Sequence, residues 1–161
     1  GQLQAAVLDV WESEPNLDPE LLAGVALGTP HIAGYSFDGK VNGTRQIYEA
    51  ACAFLGKDPA WDAAAFMPQP PCPALHVEGN DSQALHSSVR AVYDIMMDDA
   101  ALRKAPSLAD EERGVYFDML RKRYRQRREF HNTHVTVSPS NPKLEAQLAG
   151  IGFRLNEDTP S

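Results

Sequence analysis

The sequence has 161 residues and only two cysteines, Cys52 and Cys72, so it cannot form a disulfide framework. Two thiols also do not favour a structural zinc site, which usually draws on four Cys or His ligands. No apolar run reaches the roughly 20 residues that cross a bilayer, and the first residues show no secretory signal. We therefore predict no metal site, no membrane association and a cytoplasmic location with reduced thiols.

Positive charge is also scarce, because the formal net charge is −7. The acidic excess lies in residues 1–70, which hold three Lys or Arg against nine Asp or Glu, whereas residues 71–161 hold twelve against thirteen. Proteins that bind nucleic acid without sequence preference gain affinity by neutralising phosphates with basic side chains. The sequence therefore predicts no nucleic-acid partner.

One segment departs from this balance, since residues 121–128 carry six positive charges in eight positions. The spacing of Tyr116, Leu120 and Tyr124 predicts an amphipathic helix there. One interpretation is that the cations bind nucleic acid or a phosphate group, which could be the phosphate of a substrate bound in a partner subunit. The other is that they are solvated or lie in a dimer interface. The acidic net charge and a helix end, where the dipole favours cations, favour the last interpretation.

Proline divides the chain, because four prolines stand in the seven residues 67–73 and can sustain neither a helix nor a central strand. We predict a first part at 1–66, a linker at 67–73 and a second part at 74–161. The apolar run 5–10 predicts a strand buried on both faces of a parallel sheet, with a second strand within 25–33. Two strands do not complete a doubly wound sheet, and there is no initiator Met, so we expect the chain to begin inside a domain.

The second part predicts a small α/β unit with a mostly antiparallel sheet. Strands are expected at 74–77, 133–137 and 151–155, and helices at 81–97 and 141–150. In the first part, Asp18 and Pro19 indicate the start of a short helix, and a longer helix is expected after Ser36.

Three residues of the first part could carry chemistry, namely Asp9, Glu14 and His31. Asp9 stands at the carboxyl end of the first strand, and open α/β sheets bind ligands at that edge. A carboxylate and an imidazole from neighbouring strand ends can meet and form a proton donor and acceptor near neutral pH. On residue types alone, a loop histidine with two solvated carboxylates is the other interpretation.

Asp9, Glu14 and His31 lie in two short sequence motifs that occur together. Residues 8–15, LDVWESEP, followed by 29–34, TPHIAG, resemble the end of the catalytic signature of NAD-dependent D-2-hydroxyacid dehydrogenases. The extended run HIAGYS at 31–36, with GK at 39–40 and GT at 43–44, is most similar to the erythronate-4-phosphate dehydrogenase family. The resemblance continues beyond the proline-rich segment and covers essentially the whole chain.

The resemblance implies a role for each matching position. His31 matches the acid/base that exchanges a proton with the substrate C2 oxygen, and Glu14 matches the glutamate that pairs with it. Asp9 matches the aspartate that binds the nicotinamide carboxamide. Gly34 matches a cofactor-binding position and Tyr35 a substrate-binding one.

The resemblance also implies a fold and an activity. The fold is α/β, the end of a Rossmann-like dinucleotide-binding domain followed by a small α/β dimerisation domain. The activity is NAD-dependent oxidation of 4-phospho-D-erythronate, a small phosphorylated 2-hydroxy acid, to the 2-oxo acid in pyridoxal 5′-phosphate biosynthesis. The expected assembly is a homodimer.

The departures from the family pattern leave alternatives open. The family's substrate-binding arginine and its glycine-rich pyrophosphate loop are not in these 161 residues, so we expect the chain to be a fragment that is inactive by itself. The parent could also be another D-2-hydroxyacid dehydrogenase, of the phosphoglycerate or glyoxylate reductase type. A third interpretation is a non-catalytic dimerisation module.

Overall fold

The computed structural model describes residues 3–79 and 82–156. In chain order, its helices and strands are β1 (Val7–Leu8), α1 (Pro19–Gly24), β2 (Leu27–Gly28), α2 (Phe37–Phe54), β3 (Ala74–Glu78), α3 (Ser82–Val92), α4 (Met96–Leu102), α5 (Asp110–Lys122), β4 (His134–Ser138), α6 (Pro142–Gly150) and β5 (Arg154–Leu155). Short 3₁₀ turns occur at Ala63–Phe66, Ala105–Ser107 and Phe130–Asn132. The architecture is α/β, as predicted.

The chain forms two compact units, and each is discontinuous in sequence. The first unit combines the residues up to Ala33 with Asp94–Arg125, and the second combines Gly34–Tyr93 with the chain from Gln126 onward. The proline-rich segment 67–73 lies inside the second unit, so the compact units do not follow the predicted boundaries. As a division into domains, 1–66, 67–73 and 74–161 stays a prediction.

The first unit is built on a short β–α–β arrangement. β1 and β2 pair in parallel, with Val7 opposite Leu27 and Leu8 opposite Gly28, and α1 connects them. The Asp18 carboxylate accepts from the backbone N–H of Glu20 at 2.8 Å and caps α1, as its position predicted.

The prediction that β1 is buried on both faces is wrong in this structure. Val7 is 65% exposed, whereas Ala6 and Leu8 pack against the core. Successive side chains of a strand point to opposite faces, so a two-stranded sheet with helices on one face leaves alternate residues in solvent.

The core of the first unit joins segments from both ends of the chain. Its buried residues come from the β1–α1–β2 region and from α4 and α5: Trp11, Leu17, Leu22, Val25, Leu102 and Phe117. α4 also reaches the backbone of β2, because the Asp99 carboxylate accepts from the Gly28 N–H at 2.7 Å. These long-range contacts explain why residues 94–125 belong with the first part of the chain.

The sheet of the second unit has the order β3–β4–β5 and is parallel throughout, so the prediction of a mostly antiparallel sheet is wrong. Helices lie in both connections, and a helical crossover returns the chain in the same direction. α6 begins at the Asn141 cap and connects β4 to β5, as a crossover should. The core of this unit includes Val77, Val135, Leu148 and Phe153.

One predicted helix is divided. The expected helix at 81–97 is observed as α3, which ends at Val92, and α4, which begins at Met96. Its predicted first residue, Asp81, lies outside the described residues. α2 fits its prediction, because the Ser36 hydroxyl accepts from the Gly39 N–H at 3.0 Å and caps the first turn.

The basic segment 121–128 is solvated only in part, because Lys122 and Arg123 are exposed whereas Arg125 and Arg128 bind buried carboxylates. α5 ends at Lys122, and in the first unit the Arg125 guanidinium binds the Asp98 carboxylate. In the second unit, Arg128 donates to both carboxylate oxygens of Asp38, at 2.9 and 3.0 Å, and both side chains are less than a tenth exposed. These arginines are therefore partners of buried carboxylates within the chain.

Candidate active site

The first unit brings the three predicted residues Asp9, Glu14 and His31 together. Asp9 and Glu14 follow β1, and His31 follows β2, so the parallel pairing of the two strands places all three at one edge. The His31 Nδ1 and Glu14 Oε2 atoms lie 2.7 Å apart. The other carboxylate oxygen, Glu14 Oε1, accepts from the Trp11 backbone N–H at 2.8 Å, which fixes the carboxylate in place.

The hydrogen bond determines which nitrogen of His31 carries a proton. An ionised carboxylate can only accept, so Nδ1 must donate to Glu14. In the neutral imidazole, Nε2 then carries the lone pair. The His31 side chain is 38% exposed while that of Glu14 is 18% exposed, and within the described part of the chain Nε2 has no hydrogen-bonding partner. A reactant can therefore reach Nε2.

Asp9 holds the loop that carries the imidazole. Its Oδ1 atom accepts from the Thr29 hydroxyl at 2.6 Å and from the Ile32 N–H at 2.8 Å, and its Oδ2 atom accepts from the Ala33 N–H at 2.9 Å. Partial burial acts to raise the pKa of the Asp9 carboxyl, but these three donors and the nearby His31 lower it below its ordinary value. The carboxylate stays ionised and anchors both sides of His31.

The backbone of His31 is strained. Its φ is +53°, in the left-handed region that costs an L-residue roughly 1–2 kcal/mol. The His31 N–H donates to the Thr29 carbonyl at 3.0 Å, and the His31 carbonyl accepts from Arg121 Nε at 3.3 Å. Residues held in such conformations by surrounding contacts cluster at active sites.

Gly34 and Tyr35 belong to the second unit. Gly34 has φ +74°, a conformation that glycine adopts without penalty, and a Cβ at this position would meet no atom within 4 Å. The Tyr35 ring lies under the Lys40 ammonium, with 4.2 Å from Nζ to the ring centroid. The cofactor role of Gly34 and the substrate role of Tyr35 stay predictions.

Sequence reasoning did not find three residues that support the pair. Thr29 and Trp11 lie inside the two motif blocks. The Thr29 hydroxyl donates to Asp9 and the Trp11 backbone N–H donates to Glu14, and the sequence pattern alone predicts neither hydrogen bond. Trp11 also donates from Nε1 to the Thr29 carbonyl at 2.8 Å. Arg121 is 90 positions from His31 and stands in a run of cations in which no pattern distinguishes it.

The described residues contain neither a metal-binding cluster nor a membrane-spanning helix. In residues 3–79 and 82–156, no group of three or more His, Cys, Asp or Glu side chains is arranged to hold a metal ion. Among the helices of the described residues, none combines the length and apolar character needed to span a membrane.

Comparisons with known proteins give this geometry a family. A family model described as a domain of unknown function, DUF3410, matches residues 66–152. The curated relatives include erythronate-4-phosphate dehydrogenases from Cellvibrio japonicus, 46% identical over 154 residues, and from Proteus mirabilis, 42% identical over 154 residues. These alignments cover 92% and 95% of this chain and 40% and 39% of the relatives.

The chain therefore spans about 40% of the length of the curated relatives it matches. The relative from Marinobacter nauticus, also an erythronate-4-phosphate dehydrogenase, is 41% identical over 151 residues, which are 92% of this chain and 39% of that protein. The domain model covers most of the second part only, whereas the alignments with the dehydrogenases span more than nine tenths of the chain and so include the His31 region as well. The chain belongs to the DUF3410 family, whose domain is the C-terminal domain of the erythronate-4-phosphate dehydrogenases.

Proposed function

We propose that this chain supplies the proton-transfer pair of an NAD-dependent dehydrogenase that oxidises C2 of 4-phospho-D-erythronate to the 2-oxo acid. The observation that carries the proposal is the 2.7 Å contact between His31 Nδ1 and Glu14 Oε2, which leaves Nε2 free to act as a base. The names of the relatives support the substrate. The chain would act as part of a longer enzyme in the cytoplasm, where its two free cysteines stay reduced.

The residues of the pair divide the proton transfer between them. During oxidation, His31 Nε2 accepts the proton of the C2 hydroxyl, and the imidazole becomes positively charged. The negative charge of Glu14 stabilises that imidazolium and keeps the ring oriented. In the reverse direction, the same Nε2–H donates a proton to the forming hydroxyl. Bound NAD supplies the acceptor for the hydrogen and the electron pair that leave C2.

Asp9 fits the nicotinamide end of the cofactor. Among the described residues, its Oδ2 atom accepts only from the Ala33 N–H, and a carboxylate oxygen can accept a second hydrogen bond, here from a carboxamide N–H. Gly34 is proposed as a cofactor-binding position on the resemblance, and its own surroundings are open, because nothing lies within 4 Å of a Cβ built there. The sequence has no Gly-x-Gly-x-x-Gly run, so we propose that other parts of the enzyme hold the pyrophosphate.

The short β1–α1–β2 arrangement supports the proposal that residues 1–66 end a Rossmann-like domain. Its two parallel strands carry the reactive residues at their carboxyl ends, where open α/β sheets bind ligands. The proposal assigns residues 74–161 to a dimerisation domain that follows it.

The test of the function uses the full-length protein that carries this chain. NADH formation is measured with 4-phospho-D-erythronate, with 3-phosphoglycerate and with glycolate. We expect the highest kcat/KM with the first, and His31→Asn should lower kcat by about 10²- to 10⁴-fold with NAD affinity unchanged. His86→Asn changes a histidine on the exposed surface of α3 and should retain activity.

The outcomes separate the two levels of the proposal. A preference for 3-phosphoglycerate or glycolate, with His31→Asn still inactive, would replace the substrate and keep the acid/base pair. Full turnover by His31→Asn would disprove the acid/base assignment itself.

A homodimer is proposed from the second unit. β3 pairs only with β4 among the described residues, so one edge of this five-residue strand has unpaired backbone groups. Two copies related by a two-fold axis can pair such edges. Sedimentation velocity of the full-length protein that carries this chain should show a dimer at micromolar concentration, and a monomer at all concentrations would count against it.

A further inference from the structure

One face of α5 lies against both segments that carry the proton-transfer pair. Arg121 Nε donates to the His31 carbonyl at 3.3 Å. Two turns earlier, Gly114 lies beside the loop that follows Glu14, since a Cβ there would be 2.5 Å from Asn16 Oδ1. Residues seven apart lie on the same helix face, so a single face makes both contacts.

The packing between these two contacts is tight. Phe117 lies between Gly114 and Arg121 on the same face and has no exposed surface. It packs in one core with Trp11 and Leu17, which precede and follow Glu14 in the sequence. The centre of the Arg121 guanidinium lies 6.0 Å from the centroid of the Phe117 ring. The buried ring therefore fixes the helix and supports the arginine side chain.

The Arg121 contact acts on the strained part of His31. A left-handed backbone persists only where its surroundings hold it, and a charged donor makes a stronger hydrogen bond to a carbonyl than a neutral one. Loss of the contact lets the His31 peptide relax, which moves the imidazole relative to the Glu14 carboxylate. A displacement of this kind affects proton transfer without removing either reacting group.

We propose that α5 is a positioning element for the His31–Glu14 pair, with Arg121 and Gly114 as its positioning residues. Arg121 holds the backbone of His31, and the missing side chain of Gly114 lets the helix approach the loop that carries Glu14. α5 lies within the domain of unknown function at 66–152, so this gives that domain a role in the chemistry. The inference rests on the proposed function of the pair.

The kinetic test uses Arg121→Met and Arg121→Lys in the full-length protein that carries this chain. Arg121→Met should lower kcat by on the order of 10- to 10²-fold with little change in KM, and Arg121→Lys, which keeps a charged donor, should recover part of the loss. Lys122→Met is the matched control, because Lys122 is 75% exposed and pairs with Asp118 on the outside of the same turn. It should match the wild type.

A spectroscopic readout separates positioning from stability. Nitrogen NMR of the ¹⁵N-histidine-labelled protein reports which imidazole nitrogen carries the proton, and the His31 signals are those missing from His31→Asn. The wild type should show a proton on Nδ1, and Arg121→Met should shift the signals towards a mixture of tautomers. A purely structural role would lower the melting temperature and leave both the signals and the kcat of the folded enzyme unchanged.

Gly114→Ala keeps the inference testable if Arg121→Met does not fold. It should alter the same His31 signals and lower kcat, whereas Gly150→Ala, where no atom lies within 4 Å of the added Cβ, should not. Unchanged kcat and unchanged signals in Gly114→Ala and in the folded Arg121 variants would overturn the inference. Full activity of His31→Asn would overturn the proposed function instead, and the two failures are therefore distinguishable.

Discussion

At the scale of single residues, the imidazole of His31 is held from three directions. Glu14 binds Nδ1, Asp9 binds the backbone N–H of the next residue, Ile32, and Arg121 donates to the His31 carbonyl. Fixing both ring and backbone limits the motion of Nε2, so the cost of orienting the base is met by folding rather than in each turnover. The supporting residues matter to the rate as well as the reacting ones.

Glu14→Gln tests the charge of the pair separately from its geometry. The amide has the same shape and can still accept from Nδ1, but it carries no negative charge to stabilise the imidazolium. In the full-length protein we expect kcat to fall by about 10- to 10²-fold with little change in KM, because Glu14 binds His31 rather than substrate. Steady-state kinetics measure both parameters.

Glu49→Gln provides the matched comparison for this prediction. Glu49 pairs with Arg45 on the exposed surface of α2, with 3.4 Å between the charged atoms, and its neutralisation should leave kcat unchanged. Equal kcat values for Glu14→Gln and the wild type would show that the carboxylate charge has no part in the reaction.

The residues of the pair were predictable because each follows a strand within a short, recognisable block. The contact between Glu14 and His31 spans 17 positions, and parallel strands bring their carboxyl ends together. Arg121 was not predictable, because its contact depends on how α5 packs. That packing is decided by Phe117 in the core and not by any local pattern.

At the scale of elements, the packing of β2 requires glycine at position 28. A Cβ there would lie 2.8 Å from Trp11 Cζ2 and 3.0 Å from Leu22 Cδ1. The Trp11 ring cannot retreat freely, because its Nε1 atom donates to the Thr29 carbonyl. The strand therefore approaches the core more closely than any residue with a side chain allows.

Gly28→Ala should destabilise the protein for this reason, by about 1–3 kcal/mol, the usual cost of overpacking. Urea unfolding followed by circular dichroism measures the change in the chain. Gly43→Ala is the control, since Gly43 lies on exposed α2 and an added Cβ meets no atom within 4 Å. It should be neutral or stabilising by up to about 1 kcal/mol, and equal unfolding midpoints for the two variants would contradict the packing argument.

Helix starts were predictable from local chemistry, whereas strand direction was not. Asp18, Ser36 and Asn141 each cap a helix through a hydrogen bond to a backbone N–H within three residues, so short sequences specify them. The parallel sheet of the second unit depends on pairings such as Val77 with Val137, across 60 positions. Alternation of apolar residues gives the position of a strand but not the direction of its neighbour.

At the scale of the whole molecule, the charges are paired over long distances in sequence. Arg128 pairs with Asp38 across 90 positions and Arg125 with Asp98 across 27. These two pairs were not predictable from the sequence, because the partners of Arg125 and Arg128 are isolated carboxylates far away in the chain. Net charge and its distribution along the sequence carry no information about these pairs.

Several of the paired carboxyls have a lowered pKa, which makes stability depend on pH. Burial acts to raise the pKa of Asp38, but hydrogen bonds from Arg128, the Glu129 N–H and Asn132 lower it from 3.8 to about 2. Asp9 and Asp99 are lowered as well: burial opposes the shift, while Thr29 acts on Asp9 and Arg103 on Asp99 to lower the pKa. Both compact units therefore contain carboxylates that are more acidic in the folded chain than in the unfolded one.

The sign of the pH dependence follows from these shifts. A carboxyl whose folded pKa is lowered stabilises the native state above its unfolded pKa, and that stabilisation is lost as the pH falls through the folded value. For Asp38, the contribution is on the order of 2 kcal/mol, present above about pH 5 and lost towards pH 2. Melting temperatures measured across this range should fall with decreasing pH.

Two variants test whether the Asp38–Arg128 pair causes this fall. The double variant Asp38→Asn with Arg128→Met, which avoids a buried unpaired arginine, should show a shallower fall of the melting temperature. Asp118→Asn removes a half-exposed surface carboxylate and should keep the wild-type slope. A double variant with the wild-type slope would show that the buried pair does not govern acid unfolding.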